Sequence, residues 1–318
     1  MKGSIMDILF NAIIPVFGVM LLGTVASITG VLGESAERSI TKFVYFFALP
    51  AVLFISSAQT PFSDFLNWAF VVVYLLGTII VFIVFYLLFC RYGEKKIAVI
   101  RALATASPNT AFMGIPIIMV LFGQKGMLSV IISSVILSLI VCVAVVMLEV
   151  FVEPENLSLF KLIKKIIVKN PIILSILIGF LLSAFNIKLP KYIAELFSQL
   201  GSTCGPCAMF AIGMTLTLKL PKRIIPQLVI INVARLIIMP AIVFSLLLLF
   251  NASPLMAATG LILSAMPVAA TTFIIAQQYE TDVHESSDMV VSSTLISTIT
   301  LSIAILIISC YFPAILIS

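Results

Sequence analysis

The sequence predicts an all-α integral membrane protein: ten transmembrane helices in two inverted five-helix repeats, with broken helices four and nine crossing at the bilayer midplane. Three observations carry this expectation. Hydrophobic residues make up 62% of the chain and charged residues 10%, against roughly 45–50% and about 25% in a soluble domain, and mean hydropathy is +1.28. The apolar residues fall into ten segments, most of them near the ~20 residues that a spanning helix needs. Segments four and nine, which correspond when the halves are superposed, both carry a proline inside the span.

Taken in order, segment one covers 5–28. The N-terminus, Met1 to Leu9, carries Asp7 and lacks the positive n-region and cleavage site of a signal peptide, so segment one is expected to stay in the mature protein. Gly30 and Gly33 punctuate the turn to segment two, 40–58, and Pro61 precedes segment three, 65–89. Gly93 separates that run from segment four, 97–122, and Gly123 and Gly126 lead into segment five, 127–150. A basic linker containing Pro154 follows, then segment six, 171–185. Pro190 precedes segment seven, 196–218; Pro221 precedes segment eight, 228–250; Pro254 precedes segment nine, 255–278. An acidic loop leads into segment ten, 289–317. All should be helical, because no strand-like alternation recurs.

Lys and Arg set the orientation. The odd-numbered loops hold Arg38, Lys42, Arg91, Lys95, Lys96, Arg101, Lys161, Lys164, Lys165, Lys169, Lys219, Lys222 and Arg223. The even loops and the ends hold only Lys2, Lys125, Lys188 and Lys191, so the odd loops are expected in the cytoplasm and both termini outside. With its basic residues explained by topology, the net charge of +5 gives no reason to expect a nucleic-acid partner. In the linker, Lys161, Lys164, Lys165 and Lys169 share one helical face and Leu162, Ile163, Ile166 and Ile167 another. That pattern fits either an interfacial helix on the inner leaflet or an early start to segment six.

The expected organisation is a first repeat over 1–155, a basic cytoplasmic linker over 156–170 and a second repeat over 171–318. Local echoes support the duplication. Asn11 and Pro15 in segment one answer Asn170-Pro171 in segment six; Pro50 to Phe54 answer Pro206 to Phe210; Pro108 answers Pro267. Five spans per repeat invert the second half, which brings segments four and nine together at the midplane.

Segment four reads Ser107-Pro108-Asn109-Thr110-Ala111-Phe112-Met113-Gly114-Ile115-Pro116. Two prolines remove backbone donors where hydrocarbon offers no substitute, and such breaks are tolerated where the freed backbone lines a cavity. Two broken helices meeting there direct half-helix N-termini, each with about half a positive charge, at one small volume suited to a carboxylate. Asn109 is expected to donate hydrogen bonds to that carboxylate beside the freed N–H groups after Pro108 and Pro267. Thr110, Thr271 and Thr272 offer hydroxyls, and Val268 completes the candidate site. Asn170, Arg235 and Pro116 are candidates for supporting it. Arg235 and Glu149 either act in the site or lie near the cytoplasmic boundary with their charges snorkelling to water. Cys204-Gly205-Pro206-Cys207 spells a redox motif in the wrong context, inside a span, where Gly205 and Pro206 instead loosen the helix. His284 alone makes no metal site. No nucleotide-binding motif and no catalytic constellation appear, so neither an enzyme nor a cofactor is expected.

Four stretches, in order and spacing, resemble the auxin efflux carrier family, which spans bacterial malonate-type carriers and plant auxin exporters. They are Lys42 to Pro50; Pro108-Asn109-Thr110 with Met113-Gly114-Ile115-Pro116; Asn170-Pro171 with Ala208 to Gly213; and Arg235 with Pro240, followed by Ala265-Met266-Pro267 through Gln278-Tyr279. The resemblance implies a scaffold of segments one, two, six and seven beside a mobile domain of segments three to five and eight to ten. It also implies elevator-type alternating access, a homodimer, a small organic acid as substrate and contact between its carboxylate and Asn109. After Pro267 the chain reads Val268-Ala269-Ala270-Thr271 where plant members read Gln-Gly-Ile-Val-Pro, so auxin is not the expected ligand. The short, Ile- and Lys-rich chain points to a bacterial plasma (inner) membrane. Two other readings remain: a sodium-coupled symporter of the bile acid type, which shares the crossover architecture, and a membrane sensor that binds an acid without moving it.

The charge asymmetry makes one direct prediction. An impermeant thiol reagent should label a cysteine placed at Ser318 in intact cells; labelling only after the cells are opened would reverse the orientation.

Overall fold

A computed structural model describes residues 5–33, 35–59, 68–152, 171–215 and 225–312. The linker over 156–170, its amphipathic stretch and Asn170 lie outside the described residues. The described chain is helical throughout, apart from turns and one isolated two-residue bridge. Its elements are α1 (Ile5–Thr29), α2 (Ala36–Gln59), α3 (Trp68–Cys90), α4 (Lys95–Ala106), α5 (Ile115–Phe122), α6 (Met127–Val152) and α7 (Pro171–Ala184). They continue with α8 (Lys191–Ser202), α9 (Cys204–Thr215), α10 (Pro226–Leu249), α11 (Pro254–Ser264), α12 (Ala270–Gln278) and α13 (Val283–Tyr311). Among the described residues, five apolar helices are long enough to cross a bilayer: Ala36–Gln59, Ala69–Cys90, Met127–Phe151, Pro226–Leu249 and Val283–Tyr311. Their outward faces carry Ile83, Val84, Leu87, Ile237, Ile299, Ile303 and Leu306, all more than 40% exposed, which is the surface of a protein solvated by lipid. Most serines and threonines inside the helices donate to carbonyls three or four residues back, which satisfies the hydroxyls locally.

Three prolines shape the long helices in one way. A π-helical turn runs over Val44–Ala48, over Thr110–Gly114 and over Ala234–Ile238, and each ends two residues before a proline: Pro50, Pro116 and Pro240. Proline has no N–H for the carbonyl four residues back, and its ring crowds that carbonyl. The residue just before each proline instead donates five residues back: Leu49 to Val44, Ile115 to Thr110 and Met239 to Ala234. The wider turn lets the helix continue past the proline.

Segment seven differs from the expected 196–218. The helix starts at Lys191, just after Pro190, and is interrupted at Thr203 between α8 and α9. Pro206 cannot donate to the Ser202 carbonyl, and the Thr203 hydroxyl donates to the Leu200 carbonyl at 2.6 Å, closing the turn. Cys204 and Cys207 are free thiols there.

Packing follows a definite pattern. α1 lies along α9, and α2 packs on α7 and α8. α3 packs on α4, α10 packs on α11, and α3 meets α10. α6 covers α4, and α13 lies against α10, α11 and α12. The α1–α9 crossing is tight. A Cβ on Gly213 would stand 1.9 Å from the Met20 carbonyl oxygen, and one on Gly23 would stand 2.1 Å from that of Phe210. The Thr24 hydroxyl donates across this contact to the Gly213 carbonyl at 2.8 Å. Small residues let helix backbones approach where lipid provides no hydrophobic drive between them.

Gly213→Ala should therefore push α1 and α9 apart and destabilise the protein by about 1–3 kcal/mol, the usual penalty of overpacking. Thermal melting of purified protein checks it; an unchanged midpoint would mean that the crossing has slack.

Candidate functional site

The site is built where two interrupted segments meet. α4 ends at Ala106, the chain is extended through Ser107, and the π-helical turn begins at Thr110. α11 ends at Ser264, and α12 begins at Ala270 after an extended Ala269. Between these ends Pro108 and Val268 form an antiparallel bridge. The Asn109 N–H donates to the Pro267 carbonyl at 2.8 Å, and the Ala269 N–H donates to the Ser107 carbonyl at 2.9 Å. The Val268 N–H donates to Ser293 Oγ of α13 at 3.0 Å.

This corrects one expectation. The amides next to Pro108 and Pro267 are not free for a ligand: that of Asn109 donates to the opposite strand and that of Val268 to Ser293. The available amides are those of Ala270 and Thr271, which open α12 and have no carbonyl a turn earlier.

For Arg235 the structure decides between the two readings. The residue does not snorkel: its side chain is wholly buried. Nε donates to the Met266 carbonyl at 3.1 Å, Nη1 to the Thr105 carbonyl at 2.9 Å and Nη2 to the Ser264 carbonyl. One guanidinium thus caps the C-terminal ends of both α4 and α11, taking up carbonyls that a broken helix leaves unpaired. Glu149 is likewise engaged. Its Oε1 accepts a hydrogen bond from the Tyr279 hydroxyl at 2.7 Å, tying the end of α6 to the residue after α12. Arg101, counted above only for topology, makes a two-pronged pair with Asp282 at 2.8 and 2.9 Å, joining α4 to the loop before α13.

The polar side chains of the crossing are in a different state. Among the described residues, ten buried side-chain polar atoms lack a partner, and five of them sit here: Ser107 Oγ, Asn109 Nδ2, Thr110 Oγ1, Thr271 Oγ1 and Thr272 Oγ1. Buried polar atoms are nearly always paired, so a cluster of exceptions marks a place where something else is meant to bind. Asn109 is 2% exposed and Thr110 0%. Thr110 and Thr271 line a cavity with Ser134 and Ser138 of α6, Cys204 of α9, and Val52 and Ser56 of α2. Its volume is about 40 Å³, above the ~10–15 Å³ that one water needs and far below the ~300–1,000 Å³ of a ligand pocket. The described conformation is closed around the crossing.

The structure brings Pro108, Asn109, Thr110, Pro267, Val268 and Thr271 together, with Arg235 behind them. Pro116 stands apart in the first turn of α5, where its role is the π-helical turn. Sequence reasoning missed Ser134 and Ser138, although four serines (Ser129, Ser133, Ser134 and Ser138) in one apolar segment were a signal. It also missed Ser293, one of many hydroxyls in α13, which nothing in the sequence singles out.

A polytopic helical protein whose interrupted helices cross beside a small, closed, mostly apolar cavity has the organisation expected of a membrane transport protein. The chain belongs to the auxin efflux carrier family: the family model described as "Membrane transport protein" matches residues 8–158 and 153–305. It is 28% identical to the "Putative malonate transporter" of Rhizobium meliloti, over 91% of this chain and 92% of that protein. It is 26% identical to an uncharacterized transporter of Methanocaldococcus jannaschii, over 91% and 94%. It is also 24% identical to the "Lysosomal cholesterol signaling protein" of Mus musculus, over 91% of this chain but 36% of that longer protein.

Proposed function

We propose that this protein is a secondary carrier of small carboxylates, malonate among them, working by elevator-type alternating access. The observation that carries the reading is the cluster of unpartnered buried polar atoms at Ser107, Asn109, Thr110, Thr271 and Thr272. They are one amide and four hydroxyls, a set that can donate to an anion while a carboxylate supplies the acceptors they lack. The free amides that open α12 add to it. The name of the Rhizobium relative suggests malonate as the first ligand to try.

In this reading the chain forms ten membrane segments in two inverted repeats, with segments four (α4 and α5) and nine (α11 and α12) crossing at the midplane. The packing supports it. Exchanging segments one with six, two with seven, three with eight, four with nine and five with ten turns the α1–α9 contact into α7–α2, and the α3–α4 contact into α10–α11. The α3–α10 contact maps onto itself. The same contacts suit a scaffold of α1, α2, α7, α8 and α9 beside a moving body of the remainder, and the cavity lies where the two face each other. Sliding one body along the other would open that cavity to either side of a plasma membrane. The homodimer implied by the family completes the assembly.

The sensor reading draws on the mouse relative, whose name assigns it signalling. Uptake of labelled malonate into sealed vesicles separates the two, since a sensor binds without accumulation inside.

Two outcomes are expected. Asn109→Ala should lose a charge-assisted hydrogen bond worth roughly 1.5–3 kcal/mol, lowering malonate affinity by about ten- to a hundredfold, with Asn109→Asp worse through repulsion; calorimetry showing wild-type affinity in folded Asn109→Ala protein would remove the crossing as the site. Uptake should also persist in sodium-free vesicles, because the side chains at the crossing include no carboxylate; loss that sodium alone restores would favour the symporter.

A further inference from the structure

We infer that Arg235 supplies the net charge that makes the crossing an anion site, acting as a positioning residue through the backbone ends it caps and not by touching the ligand. The inference rests on the carrier reading above and adds the source of its charge selectivity.

Four half-helix ends meet at the crossing. The C-terminal ends of α4 and α11 carry about half a negative charge each, and the N-terminal ends that follow the two interruptions carry about half a positive charge each. Left to themselves these dipoles sum to about zero. Such a crossing would offer an anion and a cation comparable ends to bind.

Arg235 breaks that balance. It is wholly buried, and its three donor nitrogens go to the carbonyls of Thr105, Ser264 and Met266, the two negative ends. The ion pair found among the described residues joins Arg101 to Asp282, so no carboxylate there is paired with Arg235. A guanidinium does not lose its proton in a protein. The crossing therefore holds about one uncompensated positive charge, and it is felt at the N-terminal ends because the negative ends are already taken. The Thr110 hydroxyl, wholly buried, unpartnered and lining the cavity, stands on that side, and Thr271 stands opposite. A bound anion completes both the hydrogen bonds and the charge.

The test measures binding of malonate (two charges at neutral pH) and acetate (one) to the full-length protein in lipid nanodiscs by calorimetry, with melting recorded in parallel. Coulomb's law across about one helix diameter (~10 Å), at an effective dielectric of about 20, gives about tenfold per ligand charge. Arg235→Gln is thus expected to weaken acetate about tenfold and malonate about a hundredfold. Arg235→Lys keeps the charge with fewer donors, so it should melt lower yet bind both ligands within about threefold of wild type. Equal losses for the two ligands, or equal losses in the Lys and Gln variants, would overturn the inference, since a side chain that only holds the fold together has no reason to sort ligands by charge.

Should Arg235→Gln not fold, Tyr74→Glu takes its place. Tyr74 lies within electrostatic reach of Arg235, and its buried hydroxyl has no partner. A carboxylate there neutralises the guanidinium without removing its hydrogen bonds and should reproduce the per-charge loss, while Tyr74→Phe leaves both affinities unchanged. Wild-type malonate affinity in Tyr74→Glu would overturn the inference. Wild-type protein that binds neither acid would overturn the carrier reading itself, and this inference with it.

Discussion

Hydrocarbon offers a peptide group nothing to bond with, and the centre of this structure is arranged around that constraint. Interrupting two helices inside a membrane protein exposes carbonyls on one side of each gap and amides on the other. The carbonyl side is settled within the protein by one arginine that reaches both helix ends. The strands inside the gaps settle each other through the Pro108–Val268 bridge and the hydroxyl of Ser293. The hydroxyls of Ser107, Thr110, Thr271 and Thr272 and the Asn109 side-chain amide are left without partners. The asymmetry matters: a site complete on both sides would have no affinity to offer, and one open on both would not stay folded.

The surroundings serve the same end. Arg101 with Asp282 and Tyr279 with Glu149 tie α4, α6 and the region between α12 and α13 to one another. These elements therefore behave as one block around the crossing. The α1–α9 crossing, with glycine against backbone on both sides, draws the other group of helices together just as firmly. Between the blocks the contacts are lighter, and there lies the small cavity. Two groups of helices with a lighter seam between them suit the sliding motion proposed above, and the cavity of about 40 Å³ lies at that seam.

The sequence showed the broad class and the place where two helices are interrupted because both rest on strong local signals. Runs of apolar residues declare spans, and Pro108 and Pro267 declare breaks wherever they fall. Asn109 stood out because an amide is costly in a span. The hydrogen-bonding roles were harder to read. The amides beside the two prolines looked free because pairing between segments 160 residues apart leaves no trace in either segment. The sequence left Arg235 open between the site and the membrane boundary because its partners are backbone carbonyls, which every residue possesses and no sequence pattern marks. Ser293 was hidden among its equals in a serine- and threonine-rich helix. The interruption at Thr203 fell within a run that reads as continuous, and only Pro206 hinted at it.

The π-helical turns have a consequence for how the helices meet their neighbours. A turn that spends one extra residue works like an insertion: every side chain beyond it is advanced by about 100° around the axis relative to an uninterrupted helix. The helices holding Val44–Ala48 and Ala234–Ile238 therefore each present two stripes in different phases. The half of α10 before its turn and the half after it can each serve a different neighbour, as a crankshaft drives two rods from one axis. Removing a single residue inside such a turn would leave hydropathy and length almost untouched. It would bring the two stripes into line and turn a buried face outward to lipid.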